Sequence, residues 1–244
     1  MKTTKMMVVV AVLVVGMMFG LGGAAQAGLM GPGGIVCPTG PHPTLGRDWA
    51  AGDTYHLVFC TSTFTQATST DIAYYNTFVN DVADGSSLTG VPDVTWYAVG
   101  STPTTHARDN ALVSAPVYRL DLALVADGFG DLWDGAIAAA INVDENGVGG
   151  IEMHVWSGST GLGYTYGPPT YTARALGDAG PHYGAVHLTD GRWNGGWFNK
   201  PNTESLSLYS LSDPLTITAA VPVPEPAGLG LIGLALLAIR KRRA

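Results

Sequence analysis

Hydrophobic residues in the central part of the chain gather in short runs that favour strands over long helices. The clearest run is 55–61, where aromatic, aliphatic and β-branched side chains stand between polar segments. Shorter runs recur as far as residue 211. They predict ordered segments, mainly strands, at 55–61, 94–99, 116–120, 122–126, 155–159 and 206–211.

One segment, residues 71–83, has a different hydrophobic period. Its apolar side chains recur at the spacing of an amphipathic helix, and Ser69, Thr70 or Asp71 can cap the first turn. The apolar positions are Ile72, Tyr75, Phe78, Val79 and Val82. This segment predicts the one clear helix of the protein.

Long stretches carry neither period. Residues 28–48 are rich in Gly and Pro and predict an irregular lead-in, while 158–202 contain mostly Gly, Pro, Tyr, Trp and Thr. Loops of this length are usually functional or poorly ordered. We therefore expect a single α+β domain at 49–218, with short strands, one clear helix and long loops, followed by a Pro-rich linker at 219–226.

The first 27 residues have the pattern of a secretory signal peptide. Lys2 and Lys5 form a basic start, 6–19 are almost entirely apolar, and Ala25 and Ala27 form an A-x-A cleavage site. The alternative is an N-terminal membrane helix that is never cut. The Gly-rich, polar stretch after Ala27 favours cleavage by signal peptidase.

The C-terminal segment combines a stiff linker, an apolar run and a basic cluster. Three prolines within 221–226 fix φ and keep that stretch extended. Residues 227–239 carry no charge and predict a transmembrane helix. Basic residues hold such a helix with that end in the cytoplasm. The basic tail, 240–244, contains Arg240, Lys241, Arg242 and Arg243.

This C-terminal pattern resembles the PEP-CTERM sorting signal of Gram-negative bacteria. The motif residues are Pro224, Glu225 and Pro226. The resemblance implies recognition by an exosortase, a membrane-embedded protease-transpeptidase, and removal of the tail near the motif. Thirteen apolar residues span only ~20 Å as a helix, less than the ~30 Å hydrocarbon core. The alternative, a C-terminal anchor that stays in place, predicts the same location.

A second resemblance concerns the body, from about Tyr55 to Leu211. Four short segments follow the predicted first strand and helix in an order similar to the C-type-lectin-like fold, and to its endostatin-like branch. These segments are Val94 to Ser101, Pro116 to Asp121, Asp131 to Gly135 and Val155 to Ser159. Members of that fold bind glycans, proteins or no known ligand, so the resemblance implies an architecture and no particular function.

Charge limits the classes of partner. Without the two terminal segments, about 195 residues remain, enough for a globular core. They contain six Lys and Arg against eighteen Asp and Glu, a formal net charge of −12. This balance argues against nucleic acid and anionic lipid as partners. It is compatible with neutral glycans and with divalent cations.

The chain has two cysteines, Cys37 and Cys60. In an oxidising compartment, an isolated pair favours a disulfide over a metal site. Such a bridge would tether the lead-in to the first strand and stabilise the fold by ~3 kcal/mol. Free buried thiols and a reactive cysteine are the alternatives.

Four neighbouring residues form the main candidate ligand site. Trp193, Asn194, Trp197 and Phe198 combine aromatic faces with an amide, which suits stacking on a sugar and hydrogen bonding to it. A packed loop has the same composition.

Acidic and histidine residues offer weaker candidates. Asp127, Asp131 and Asp134 surround Trp133 and would suit a glycosidase, although a solvated turn beside a core tryptophan explains them more simply. Asp144 and Asn146 are minor calcium candidates, but Glu152 is one position too early for an EF-hand, which favours a polar turn. The spacing of His154, His182 and His187 matches no zinc motif. We expect no cofactor other than this minor calcium candidate, and no catalytic residue.

Together these patterns predict an exported, non-catalytic protein of the cell surface or extracellular matrix. The precursor is expected in the inner membrane until its tail is processed. A glycan-binding module acting on exopolysaccharide is the first alternative. A secreted hydrolase that uses carboxylates among Asp127, Asp131, Asp134 and Asp144 is the second.

Overall fold

A computed structural model describes residues 29–86, 94–151, 153–167, 172–196 and 198–219. The predicted signal peptide, sorting motif, transmembrane helix and basic tail lie outside these ranges, as does Trp197. Within them, no helix is both long enough and apolar enough to cross a bilayer.

The body is built on one curled, half-barrel sheet. The central strand is β2 (Thr54–Cys60), which pairs antiparallel with β9 (Ser205–Ser212) and parallel with β5 (Val117–Arg119). The sheet continues through β6 (Leu124–Ala126) on one side, and through β7 (His154–Trp156) and β8 (Tyr183–Ala185) on the other.

Short strands extend this sheet. β3 (Thr65–Gln66) and β4 (Trp96–Ala98) pair with β9, and β10 (Leu215–Thr216) pairs with β2. Two further strands, β1 (Leu29–Met30) and β11 (Thr218–Ala219), form a separate two-stranded ladder.

The predicted helix is present as α1 (Ile72–Asp84). The Asp71 side chain caps it by accepting a hydrogen bond from the Ala73 backbone N–H, at 3.0 Å. On its inner face, the amides of Asn76 and Asn80 bond to the backbone of β4. These bonds fix the helix to the sheet. In the described ranges, two further α-helices, α2 (Ala107–Asn110) and α3 (Phe129–Leu132), have four residues each, and Pro32–Gly34 form a turn of 3₁₀ helix.

The sequence predicted an α+β fold and, with it, a C-type-lectin-like architecture. This prediction of the fold class is wrong. The described residues are mostly β, with few helices. The reason is that the central sheet is buried on both faces, and only one face is covered by a long helix. On the other face, short helices and loops take the place of a helical layer.

Side-chain alternation along β2 separates the two hydrophobic cores. Tyr55, Leu57 and Phe59 point into the first core, under α1. Val58 and Cys60 point into the second core, which includes Trp133 and Trp193. Since consecutive strand residues point to opposite faces, a continuous apolar run such as this one indicates a strand buried on both sides.

The same alternation explains why the predicted disulfide is absent. Both cysteines are free and buried. Cys37 packs in the first core and Cys60 in the second, so the sheet lies between their side chains. Burial raises the pKa of both thiols. The pKa of Cys60 is raised to about 12, and the neighbouring Asp144 and Glu145 add smaller increases to the effect of burial. Both thiols therefore stay protonated at neutral pH.

Candidate functional site

Two adjoining cavities beside β8 form a groove that contains aromatic side chains. Their volumes are about 600 and 190 Å³, and both are lined by Arg192 and Phe198. We call this surface the Phe198 groove. Its other polar and aromatic lining residues are His154, Tyr183, His187 and Asp190.

The groove is held in place by a buried anchor. Trp193 is wholly buried in the second core, where its ring lies 5.9 Å from that of Trp133 and 5.7 Å from that of Tyr209. Its backbone N–H donates to the Asp190 carbonyl, closing a turn that projects Arg192 outward. The turn then returns to the sheet, because Ala185 of β8 donates to the Arg192 carbonyl at 3.1 Å.

Glycine makes the floor of the groove possible. A Cβ at Gly184 would collide with the backbone of Trp193, and one at Gly196 would collide with the carbonyl of Tyr183. Backbone segments therefore approach one another more closely here than any side chain allows. As a result, only glycine fits at these two positions of the groove floor.

The charges at the groove are nearly balanced. Arg192 Nε lies 2.9 and 3.0 Å from the two carboxylate oxygens of Asp190, and this pairing lowers the pKa of Asp190. Lys200 Nζ pairs with Glu204 at 2.8 Å and lies 5.7 Å from the centre of the Tyr183 ring. Each cation thus has its own acid, so a strongly charged ligand gains little here.

Histidine adds hydrogen-bonding capacity without adding charge. The His154 ring packs edge-on against Tyr183, with 4.7 Å between ring centres. Burial lowers the pKa of His154, and the nearby side chains of Lys200 and His187 lower it further. His154 is therefore neutral at pH 7 and can both donate and accept a hydrogen bond.

The structure divides the predicted ligand loop into two parts. Trp193 and Asn194 are wholly buried and belong to the interior, whereas Phe198 is 66% exposed. Phe198 also stacks on Tyr183 at 6.4 Å between ring centres. Only Phe198 of the three described members is therefore available to a ligand.

Sequence reasoning missed Tyr183, Asp190 and Arg192. They join Phe198 only through the pairing of β7 with β8 and through the turn after β8. Asp190 and Arg192 have opposite charges and lie two positions apart, and this was the local feature of the sequence that could have pointed to the groove. It does not by itself indicate a ligand site.

The acidic candidates have local backbone roles. Asp131 accepts the Asp127 N–H at 2.8 Å, and Asp134 accepts the Ala136 N–H at 2.9 Å. Trp133 is buried, as the core interpretation predicts. These two carboxylates therefore accept backbone hydrogen bonds within a short helix and a turn.

The calcium candidates belong to a turn between Val143 and Gly149, which form a β-bridge. Asp144 Oδ1 accepts the N–H groups of Asn146 and Val148, at 2.9 and 2.8 Å. Glu145 is buried and accepts the Ser62 N–H at 2.9 Å. In the part of the chain that the structure describes, no three His, Cys, Asp or Glu side chains are grouped as metal ligands.

The fold and groove define a mostly β protein with an aromatic, nearly neutral surface site. Comparison with known proteins adds no assignment, because no protein-family model matches the chain and no curated protein is significantly similar to it.

Proposed function

We propose that this chain is an exported bacterial surface or extracellular-matrix protein whose Phe198 groove binds a neutral glycan without catalysis. The observation that carries the glycan assignment is the exposed Phe198 ring between Tyr183 and the Arg192–Asp190 pair. A pyranose ring has apolar faces and a hydroxyl rim. An aromatic ring stacks on such a face, while paired ions and a neutral imidazole hydrogen-bond to the rim.

The export part of the proposal rests on the terminal sequences. Signal peptidase cuts after Ala27, and the inner membrane holds the precursor through residues 227–239. An exosortase then recognises Pro224, Glu225 and Pro226 and removes the tail. The body, with its net charge of −12, is thereby released towards exopolysaccharide at the cell surface or outside it.

Replacing Phe198 with alanine is expected to weaken binding to neutral oligosaccharides on a glycan array by about tenfold. Loss of one aromatic stacking face corresponds to ~1.4 kcal/mol of binding free energy. The matched control is Phe64→Ala, which removes a ring that is 55% exposed and lies outside the groove. Equal binding by both variants and the parent would contradict the assignment of the groove.

The structure shows that a variant of Trp193 does not test glycan binding and that a variant of Arg192 does. Trp193→Ala opens a cavity in the second core and therefore reports on stability rather than on binding. The conservative Arg192→Gln variant instead removes the ion pair with Asp190 at the surface. We expect Arg192→Gln to fold normally and to bind glycan less tightly.

Sorting is tested by cell fractionation and mass determination of the C-terminus, with and without the exosortase gene. With the exosortase, we expect a mature protein that ends near Pro224 to Pro226 in the outer or extracellular fraction. Without it, the intact chain should remain in the inner membrane. An intact tail in the inner membrane under both conditions would exclude the sorting step.

A further inference from the structure

A second site lies where β2 pairs with β5, and there a buried histidine contacts an exposed serine. His56 is wholly buried, and its Nδ1 lies 2.8 Å from the carbonyl oxygen of Ser212 on β9. A carbonyl oxygen only accepts hydrogen bonds, so Nδ1 carries the proton and donates it. Nε2 is therefore the acceptor nitrogen of a neutral imidazole.

Ser114 occupies the acceptor side of this ring. Its hydroxyl Oγ lies 3.3 Å from His56 Nε2, and its backbone N–H donates to the same nitrogen at 3.1 Å. Burial lowers the pKa of His56, which keeps the ring in its basic form at neutral pH. Ser114 Oγ thus lies within hydrogen-bond reach of a base whose other ring nitrogen is oriented by a backbone carbonyl. Oγ and the Ser114 N–H share the single lone pair of Nε2.

The serine faces a cavity of about 370 Å³. This volume lies within the ~300–1,000 Å³ range of small-molecule sites. Its lining includes the apolar residues Leu45, Pro116 and Phe129 and the acids Asp53 and Asp127. A bidentate bond from Arg47 lowers the pKa of Asp53 to about 2, so its carboxylate is ionised at neutral pH.

We propose that Ser114 is a nucleophile activated by His56, acting on uncharged short-chain carboxylic esters. Ser114 Oγ bonds to the carbonyl carbon, and its proton passes to His56 Nε2. The bond between the carbonyl carbon and the alkoxy oxygen then breaks, and the proton on Nε2 leaves with the alcohol. Water hydrolyses the acyl-serine, which yields the carboxylic acid and restores the hydroxyl. The carboxylate of Asp127, which lines the cavity, disfavours anionic substrates.

This proposal is independent of the Phe198 groove, since the two sites share no lining residue. Ser114 is also separated from His56 by 58 positions in the sequence, so no local motif marks the pair. Only the parallel pairing of β2 with β5, in which His56 aligns with Val117, brings them together.

The test is labelling of the purified exported protein with an alkyl fluorophosphonate probe, followed by peptide mass mapping. Ser114 Oγ would bond to phosphorus, fluoride would leave, and the proton would pass through His56 Nε2 to water. We expect one adduct on Ser114, none in Ser114→Ala, and an unchanged adduct in Ser205→Ala, which alters an exposed serine of β9. His56→Gln should slow labelling about 100-fold, the usual loss without a general base.

Hydrolysis of p-nitrophenyl acetate provides the second readout, with Ser114→Ala expected to fall to the rate of buffer alone. Absence of any adduct on Ser114 in the folded parent protein would overturn the proposal. So would an equal rate of ester hydrolysis in the parent and in Ser114→Ala. Because Ser114 is exposed, its alanine variant should fold even if the buried His56→Gln change does not.

Discussion

Replacing Trp156 with alanine is expected to reduce the free energy of unfolding by about 4 kcal/mol, the largest single effect that we predict. Trp156 lies on β7 and is wholly buried in the first core. Its ring N–H donates to the Thr65 carbonyl of β3 at 3.0 Å, and both strands pair with β9. The change leaves a cavity and a buried carbonyl without its donor.

Urea denaturation followed by fluorescence and circular dichroism measures this loss. Trp156→Phe is the matched control, because it keeps an aromatic ring and removes only the hydrogen bond and part of the volume. We expect this variant to lose about 2 kcal/mol, mainly from the unpaired carbonyl. A loss below 1 kcal/mol in Trp156→Ala would show that the first core does not depend on this contact.

Substituting alanine for Gly184 is expected to destabilise the protein by about 3 kcal/mol. The new Cβ would overlap the carbonyl of Trp193. That carbonyl belongs to backbone anchored by a wholly buried side chain, so it cannot move aside as the end of a flexible side chain would. Strand β8 must then separate from the turn that carries Arg192, which opens the Phe198 groove.

Gly130→Ala is the control for Gly184→Ala. A Cβ at Gly130, in the short helix α3, meets no atom within 4 Å, and alanine favours helix more than glycine does. We expect a change of less than about 1 kcal/mol, in the stabilising direction. Equal thermal midpoints for the two variants would mean that the close backbone approach at Gly184 is not required by the fold.

Much of the local structure could be predicted from the sequence. Helix α1 begins within one residue of the predicted start and has Asp71 as its cap, because helical spacing and capping are local properties. The predicted strand 55–61 overlaps β2, since its aromatic and β-branched residues favour extended backbone.

The fold class could not be predicted in the same way. An apolar run such as that of β2 does not reveal whether a helix or another layer covers each face. Consecutive residues of β2 point to opposite faces of the sheet, so Phe59 and Cys60 belong to different cores. Cys37 packs in the core of Phe59 and is therefore separated from Cys60. The predicted disulfide failed for this reason, since spacing along the chain says nothing about the side of a sheet.

The candidate site shows the same limit. Trp193 and Phe198 lie five positions apart in one glycine-rich loop, and both have the composition expected of a sugar site. One side chain anchors the second core, and the other is two-thirds exposed. Burial of a loop residue depends on what packs over it, and no periodic pattern reports that in an irregular segment.

By itself the sequence determined helix α1 and its cap, the strand run of β2, the acidic balance of the body and the terminal pattern on which the export proposal rests. These follow from near neighbours, from composition and from linear order. The tertiary structure alone decided the mostly β class, the separation of the cysteines, the Phe198 groove and the meeting of Ser114 with His56. Each of these depends on strand pairing between distant segments, where the free energy of burial, rather than local propensity, selects the partners.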